Sequence, residues 1–160
     1  MKTNNNGNNA NNNNNESKNG NNRHSFNYHG QSFTMSATFK GNQYGVFGDR
    51  LTHPHFVVTI KTDNGRTRFN FFASFKDYQD GKETMSRDDL KNALDCFLSD
   101  GLSYDNARDF SDFCAEFGYT EMSQYKQARA AFDGCKRHHE AAARIFGPDY
   151  YEILNEINEE

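Results

Sequence analysis

The sequence predicts an α+β domain, in which a three-stranded antiparallel sheet packs against three to four helices behind a disordered tail. Three observations lead to this prediction. Apolar and polar residues alternate in parts of residues 31–76, and apolar residues recur at helical spacing in residues 77–160. In addition, 13 of the first 22 residues are Asn. We therefore expect a single domain over residues 31–160, with its sheet before its helices.

The Asn-rich start, residues 1–30, has too few apolar side chains to offset the entropy lost on ordering, so a disordered tail is expected. A solubilising role is favoured, and aggregation through Asn amide ladders is the alternative. This stretch lacks the apolar core of a signal peptide, and no apolar run of 18 residues that could span a membrane occurs. Three cysteines without a CxxC pair favour a reducing cytoplasm.

Two segments are predicted to form the sheet. In residues 32–40, four apolar residues alternate with Ser and Thr, as in a half-buried strand. Further along, Asn64-Gly65 suits a type I′ turn, whose central residues both have positive φ, and such a turn pairs Asp63 with Arg66. The resulting hairpin has one apolar face, formed by Phe56, Val58, Ile60, Phe69 and Phe71. Its other face is formed by Thr59, Lys61, Arg68 and Asn70, with Val57 and Phe72 as apolar exceptions.

Start and stop signals divide the second half of the chain into helices. Ser86 is a suitable N-cap for the first helix, which is expected to end near Gly101. Gly118 is placed to end the second helix, and Thr120 to cap the third, which stops at Gly147 before a proline. The second helix is expected to bury Phe110, Phe113, Cys114 and Phe117, and a last short helix Tyr151, Leu154 and Ile157.

The spacing of His, Cys and acidic residues matches no catalytic or metal-binding signature. His53 and His55 could supply two ligands, but the proline between them leaves their geometry undefined. His138 and His139 point about 100° apart on a helix, which is too far to face one metal. The loop around Gly81 lacks the acid that a calcium loop needs five residues earlier. We therefore expect surface histidines, no catalytic residue, no metal and no cofactor.

Charge is distributed unevenly along the chain. Residues 40–79 contain six Lys or Arg and three Asp or Glu, whereas residues 80–120 contain four and ten. An acidic helical face could compete with DNA for the basic groove of a partner protein, and a basic hairpin could hold single-stranded nucleic acid. An ordinary solvated exterior is the plain alternative. The acidic candidates are Asp88, Asp105, Asp109, Asp112 and Glu116, and the basic candidates are Lys61, Arg66 and Arg68.

Three short motifs in the helical half resemble a known pattern. Residues 96–100 have the sequence CFLSD, residues 113–119 have the sequence FCAEFGY, and Cys135 follows in the next helix. With the hairpin before them, these motifs resemble a family of small proteins encoded by bacteriophages and prophages. The similarity covers residues 55–146. The matching residues are Cys96, Phe97, Leu98, Ser99, Asp100, Phe113, Cys114, Glu116, Phe117, Gly118, Tyr119 and Cys135.

The resemblance implies an α+β fold and a phage or mobile-element protein in the cytoplasm of a bacterial host cell, and it carries over no catalytic residue. Small proteins of that kind often act by stoichiometric binding. We therefore expect a non-enzymatic anti-defence protein that binds and inhibits a host defence protein, such as a CRISPR effector. The alternatives are a nucleic-acid-binding phage accessory protein and an assembly adaptor. The family usually has acids after FGY, whereas residues 120–123 here are TEMS, so a partner role for that loop does not carry over.

Overall fold

The computed structural model describes residues 22–74 and 83–160, and it confirms the α+β class. Within these residues, four strands precede four helices. The strands are β1 (Asn22–Tyr28), β2 (Gln31–Tyr44), β3 (Thr52–Thr62) and β4 (Gly65–Phe72). The helices are α1 (Arg87–Asn106), α2 (Phe110–Glu116), α3 (Tyr125–Phe146) and α4 (Tyr150–Glu159), with 3₁₀ turns at Met122–Gln124 and Gly147–Asp149.

The antiparallel sheet has the order β1-β2-β3-β4, so it contains four strands and not the three predicted. The additional strand, β1, falls within residues 1–30, which were expected to be a tail. Its side chains alternate: Phe26 and Tyr28 are buried, and Arg23, Ser25 and Asn27 are exposed. The Asn-rich residues before β1 hide this short pattern. The rest of the predicted tail, residues 1–21, lies outside the described residues.

A type I′ geometry occurs in the turn between β1 and β2. Tyr28 pairs with Gln31, and the two residues between them, His29 and Gly30, have φ angles of 51° and 76°. The His29 N–H donates to the Glu156 carboxylate at 2.8 Å, so α4 holds this turn against the helical layer.

The β3–β4 hairpin differs from its predicted register by two residues. Thr62 pairs with Gly65, so the turn residues are Asp63 and Asn64, and Asn64 does not have a positive φ. Two hydrogen bonds explain this position, because the Thr62 hydroxyl (2.8 Å) and the Asn64 amide (3.4 Å) both donate to the Ile145 carbonyl at the end of α3. A shift of two residues leaves every side chain on its predicted face.

The helices cover one face of the sheet, and this interface is the hydrophobic core. The sheet contributes Phe26, Tyr28, Phe33, Met35, Ala37, Phe56, Val58, Ile60 and Phe69. The helices contribute Leu90, Leu94, Phe97, Leu98, Ile145, Phe146, Tyr150, Ile153, Leu154 and Ile157, among others. No described helix lies on the opposite face of the sheet, which we call the open face.

Helix α1 begins as predicted but does not end as predicted. The Ser86 hydroxyl accepts from the Asp89 N–H at 3.1 Å, and the Ser86 N–H donates to the Asp89 carboxylate at 2.8 Å, which is a complete capping box. The expected end at Gly101 is wrong, because the helix continues to Asn106. A Cβ atom at Gly101 would lie 3.1 Å from the His139 Cα. This glycine therefore permits the close approach of α1 and α3.

The connection between α2 and α3 departs from the prediction in two ways. Gly118 has a φ of 79° after α2, as expected, but Thr120 does not cap α3. Its N–H instead donates to the Gln124 side chain at 3.0 Å, and a 3₁₀ turn comes before the helix. In α2 only Phe113 is fully buried, and Phe117 is 49% exposed. The predicted apolar stripe therefore lies partly on the surface.

Candidate functional site

The five predicted acidic residues do not form one continuous patch. Asp88 lies in the first turn of α1 and Asp105 near its end. These two positions are about 26 Å apart along the helix axis, because an α-helix rises 1.5 Å per residue. Asp109, Asp112 and Glu116 lie beyond Asp105, on or next to α2. Asp105, Asp109, Asp112 and Glu116 are therefore near one another in the chain, whereas Asp88 is distant from them.

Two of these carboxylates already stabilise the start of α2. Asp109 is its N-cap and accepts from the Asp112 N–H at 2.8 Å. Asp112 accepts from the Arg108 N–H at 3.0 Å and from its guanidinium at 3.3 Å. These hydrogen bonds, the backbone one foremost, hold the pKa of Asp112 below its usual value. Both residues therefore have a structural role whether or not a partner binds.

Asp105 takes part in a hydrogen-bonded group that joins α1, α3 and α4. The Tyr151 hydroxyl donates to its carboxylate, and the Tyr150 hydroxyl lies within 3.4 Å of the Tyr151 hydroxyl. His139 hydrogen-bonds to the Tyr150 hydroxyl, and its other ring nitrogen lies 3.7 Å from Asp105. Burial and, for Tyr151, the bond to Asp105 raise the pKa of both phenols. The phenols therefore stay protonated and act as donors.

The corner between α2 and α3 exposes apolar side chains. Met122 is 94% exposed, Tyr125 58% and Phe117 49%. A groove of about 220 Å³ opens here, and its walls include Cys114 and Tyr119. Exposed apolar groups that lie together often mark a surface for another molecule. We call Cys114, Tyr119, Met122 and Tyr125, which line this groove, the apolar corner. Phe117 lines a separate groove with Glu116, at the end of α2.

The open face of the sheet has a uniform charge. The four strands contain Lys and Arg but no Asp or Glu, so every formally charged side chain in them is positive. Strand alternation and pairing place four of these cations on the open face, where each is exposed. They are Arg23, Lys61, Arg66 and Arg68.

The strand pairing brings the three predicted basic residues together. Lys61 pairs directly with Arg66, and Thr59 pairs with Arg68, two residues along. Like charges directly opposite each other on neighbouring strands destabilise a sheet. Arg23 lies in the same cross-strand row as Thr59, at the opposite edge of the sheet. It pairs with Ser36 on β2, and Ser36 pairs with Thr59. The sequence prediction missed Arg23, although the alternation of residues 23–28 could have placed it on a strand.

An aromatic pair lies at one end of the open face. The rings of His55 and Phe72 are stacked, with centroids 4.6 Å apart and planes inclined by 18°. The His55 ring also hydrogen-bonds to the Asn70 side chain at 2.9 Å. Phe72, which was noted as an apolar exception on this face, is therefore half-buried against a neighbouring ring. The pair offers a flat surface about four residues along β4 from Arg68.

The histidines and cysteines form no recognisable reactive centre in the described chain. His53 was expected on the surface but is buried, with its ring nitrogens bonded to the Ala73 carbonyl (3.1 Å) and the Asp49 carboxylate (2.9 Å). Burial, aided by Asp100, raises the pKa of Cys135 to about 11. Within residues 22–74 and 83–160, no three His, Cys, Asp or Glu side chains are grouped so that they could hold a metal ion.

Comparison with protein-family models, with curated proteins and with solved structures finds no match to this chain. The resemblance to phage proteins therefore stays a prediction. None of the helices in the described residues is both long enough and apolar enough to cross a membrane.

Proposed function

We propose that the protein binds single-stranded nucleic acid on the open face of its sheet. The observation that carries this proposal is the charge of the strands, which contain cations and no carboxylate. The chain as a whole has a net charge of −4, so this segregation is not a consequence of a basic composition. A surface that concentrates cations in an acidic protein suits an anionic ligand.

The pairing of Lys61 with Arg66 supports an anionic ligand in particular. Neither side chain forms an ion pair with a carboxylate of the described residues, so those residues do not offset the repulsion between them. A phosphate placed between them would offset it and would gain charge-assisted hydrogen bonds from both. The same site would repel a basic partner.

The shape and chemistry of the open face favour a single strand over a duplex. The face spans three interstrand spacings, which is about 14 Å, and is lined by hydroxyl and amide groups between the cations. Ser36 and Thr59 lie between Arg23 and Arg68 in one row. The stacked rings of His55 and Phe72 give a platform on which an unpaired base could stack. A duplex keeps its bases stacked internally and could not use that platform.

Fluorescence anisotropy with a dye-labelled 12-nucleotide single strand tests the proposal, at salt concentrations from 50 to 200 mM. Lys61→Ala combined with Arg68→Ala should weaken binding and should reduce the slope of log K against log salt by about 1.4, roughly 0.7 for each lost phosphate contact. The matched control is Lys126→Ala with Lys136→Ala, which removes the same charge from exposed positions on α3. Equal losses in the two variants, or no binding by the natural protein, would refute the proposal.

The second candidate function is the inhibitor of a host defence protein, such as a CRISPR effector, that the sequence predicts. The exposed apolar corner favours this candidate, because Glu121 lies in the wall of its groove and Glu116 is close to it in the chain. An apolar patch next to carboxylates is complementary to the basic groove in which a nuclease holds its nucleic acid. Inhibition would then be competitive with DNA. Asp105, Asp109 and Asp112 are less suited to this contact, because each carboxylate already accepts a hydrogen bond within the chain.

A cleavage assay with a purified CRISPR effector tests this second candidate. The natural protein should slow DNA cleavage, and added DNA should relieve the inhibition. Glu116→Lys combined with Met122→Ala should abolish the effect, whereas Glu140→Lys, an exposed charge reversal on α3, should not. If the natural protein fails to slow any effector tested, or if both variants inhibit equally, the apolar corner is not an inhibitory surface for this class of enzyme.

A further inference from the structure

An open groove of about 680 Å³ lies beside the open face, where the β1–β2 hairpin approaches β3 and the start of α1. Three cations from three different elements line it: Arg23 from β1, Lys61 from β3 and Arg87 from α1. The hydroxyl groups of Ser25 and Thr34 lie between them, and Asp63 is the carboxylate in the lining. Nothing in the sequence indicated that these three cations would converge.

Arg87 is held in position at this groove by contacts on two sides. Its guanidinium lies 4.1 Å from the centre of the Phe26 ring, and it donates to the Ser25 backbone carbonyl at the edge of β1. An arginine has five N–H donors, and the bond to Ser25 uses one of them. The remaining donors are pre-positioned for a ligand at little further cost in side-chain entropy.

We propose that this groove binds the terminal phosphate of a nucleic-acid strand that lies along the open face. This inference rests on the proposed nucleic-acid function. A phosphate within a strand carries one negative charge, whereas a terminal phosphate monoester carries about −1.5 to −2 and has three free oxygens. Three cations opposed by one carboxylate leave a net charge of +2, which matches the monoester better than the diester.

The position of the groove also favours the end of a strand. Lys61 belongs both to the groove and to the cation rows of the open face, so a strand can contact Arg66 and Arg68 and reach the groove with its end. On the far side of the groove, Arg87 packs against Phe26 at the sheet edge. The row of cations therefore terminates there.

The test is an anisotropy titration with three 12-nucleotide single strands that differ only at their ends: a 5′-phosphate, a 3′-phosphate, or hydroxyls at both ends. The dye is attached internally. We expect one of the phosphorylated strands to bind about tenfold more tightly than the hydroxyl-ended strand, as one additional charge-assisted contact would provide. Adenosine monophosphate and inorganic phosphate serve as competitors, and they distinguish a strand end from any free phosphate.

Two variants separate this inference from the function on which it rests. Arg23→Ala should remove the preference for the phosphorylated end. Arg68→Ala should weaken the binding of all three strands by the same factor, so that the preference is kept. Equal binding of all three strands by the natural protein would overturn the inference but leave strand binding intact. No binding of any strand would overturn both. If adenosine monophosphate alone binds and depends on Arg23, the groove is a free-nucleotide site and the strand-end inference is wrong.

Discussion

Replacing Gly101 by Ala should destabilise the protein relative to the same replacement at Gly134, although both glycines lie inside long helices. At Gly101 an added Cβ would lie 3.1 Å from the His139 Cα and 3.3 Å from its backbone N, which belong to the neighbouring helix. At Gly134 the nearest atom would be the Arg137 guanidinium at 3.7 Å, the end of a flexible side chain. The two sites therefore differ in steric room but not in helical context.

The expected magnitude follows from two terms. Alanine in place of glycine favours a helix by about 1 kcal/mol, and this term applies at both sites. At Gly101 the new methyl group is closer than the roughly 3.5–4.0 Å of a carbon–carbon contact, so α1 and α3 must separate. Overpacking of this kind costs about 1–3 kcal/mol. Because the helix term cancels, the difference between the two variants measures the steric term alone.

Urea unfolding followed by circular dichroism gives both free energies of unfolding, and thermal melts provide a check. Gly134→Ala should be stabilised by up to about 1 kcal/mol. Gly101→Ala should be less stable than Gly134→Ala by about 1–3 kcal/mol, and 1 kcal/mol corresponds to roughly 3–5 °C in melting temperature for a chain of this size. Equal stabilisation of both variants would show that the two helices do not approach closely at this glycine, and the packing described above would be wrong.

Three further results are expected. Ser86→Ala breaks the capping box with Asp89 and should lower the free energy of unfolding by about 1 kcal/mol in urea titrations. In a variant whose other cysteines are serine, Cys135 should react with a thiol reagent at pH 8 about a hundredfold more slowly than a free thiol, since its pKa is about 11 against 9.0. Burial, with a hydrogen bond to Glu160, raises the pKa of Tyr28 from 10.0 to about 12. The protonated phenol is retained in the folded state, so the natural protein should lose stability between pH 10 and 12, and Tyr28→Phe should lose less in urea titrations over that range.

The faces of the sheet could be predicted from sequence because side chains alternate with a period of two residues. A shift of the hairpin register by two residues keeps the same side chains on each face. Val58 and Ile60 are therefore expected in the core in either register, and the structure places them there. The register itself could not be predicted from the turn dipeptide. It depends on hydrogen bonds from Thr62 and Asn64 to Ile145, which is 81 residues further along the chain than Asn64. The conformational preference of the turn dipeptide contributes less to the choice of register than these hydrogen bonds to a distant residue.

Glycine was the least reliable signal in the helical half. Gly118 and Gly147 end helices with φ angles of 79° and 75°, as their sequence context predicts. Gly101 follows an aspartate in a similar polar context, yet it lies inside α1 because His139 packs against it. A glycine required for a close helix contact cannot be distinguished by sequence from one that ends a helix, since the contacting residue is distant in the chain.

The candidate surfaces were predictable in part. Lys61 and Arg68 follow from the alternation of the hairpin, and the structure brings them together on one face. Arg23 and Arg87 could not be placed beside Lys61, because their proximity depends on the addition of β1 to the sheet edge and on where α1 begins. The acidic set was grouped by position in the chain. A helix separates its members by rise and rotation, so closeness in sequence is a poor guide to a shared surface.

The separation of charge within the molecule bears on how an anionic strand would approach it. The strands contain no carboxylate, so the acidic residues of the described chain lie in the helices and loops. Helices α1, α2 and α4 each contain more Asp and Glu than Lys and Arg, whereas α3 contains five Lys or Arg and two Asp or Glu. The proposed strand would therefore meet repulsion from α1, α2 and α4, and at physiological salt each field extends about 8 Å. The net charge of −4 limits non-specific attraction at long range, while the cations act at contact distance. A strand held on the cations of the open face, as proposed, would leave the helices and the apolar corner free for a second partner.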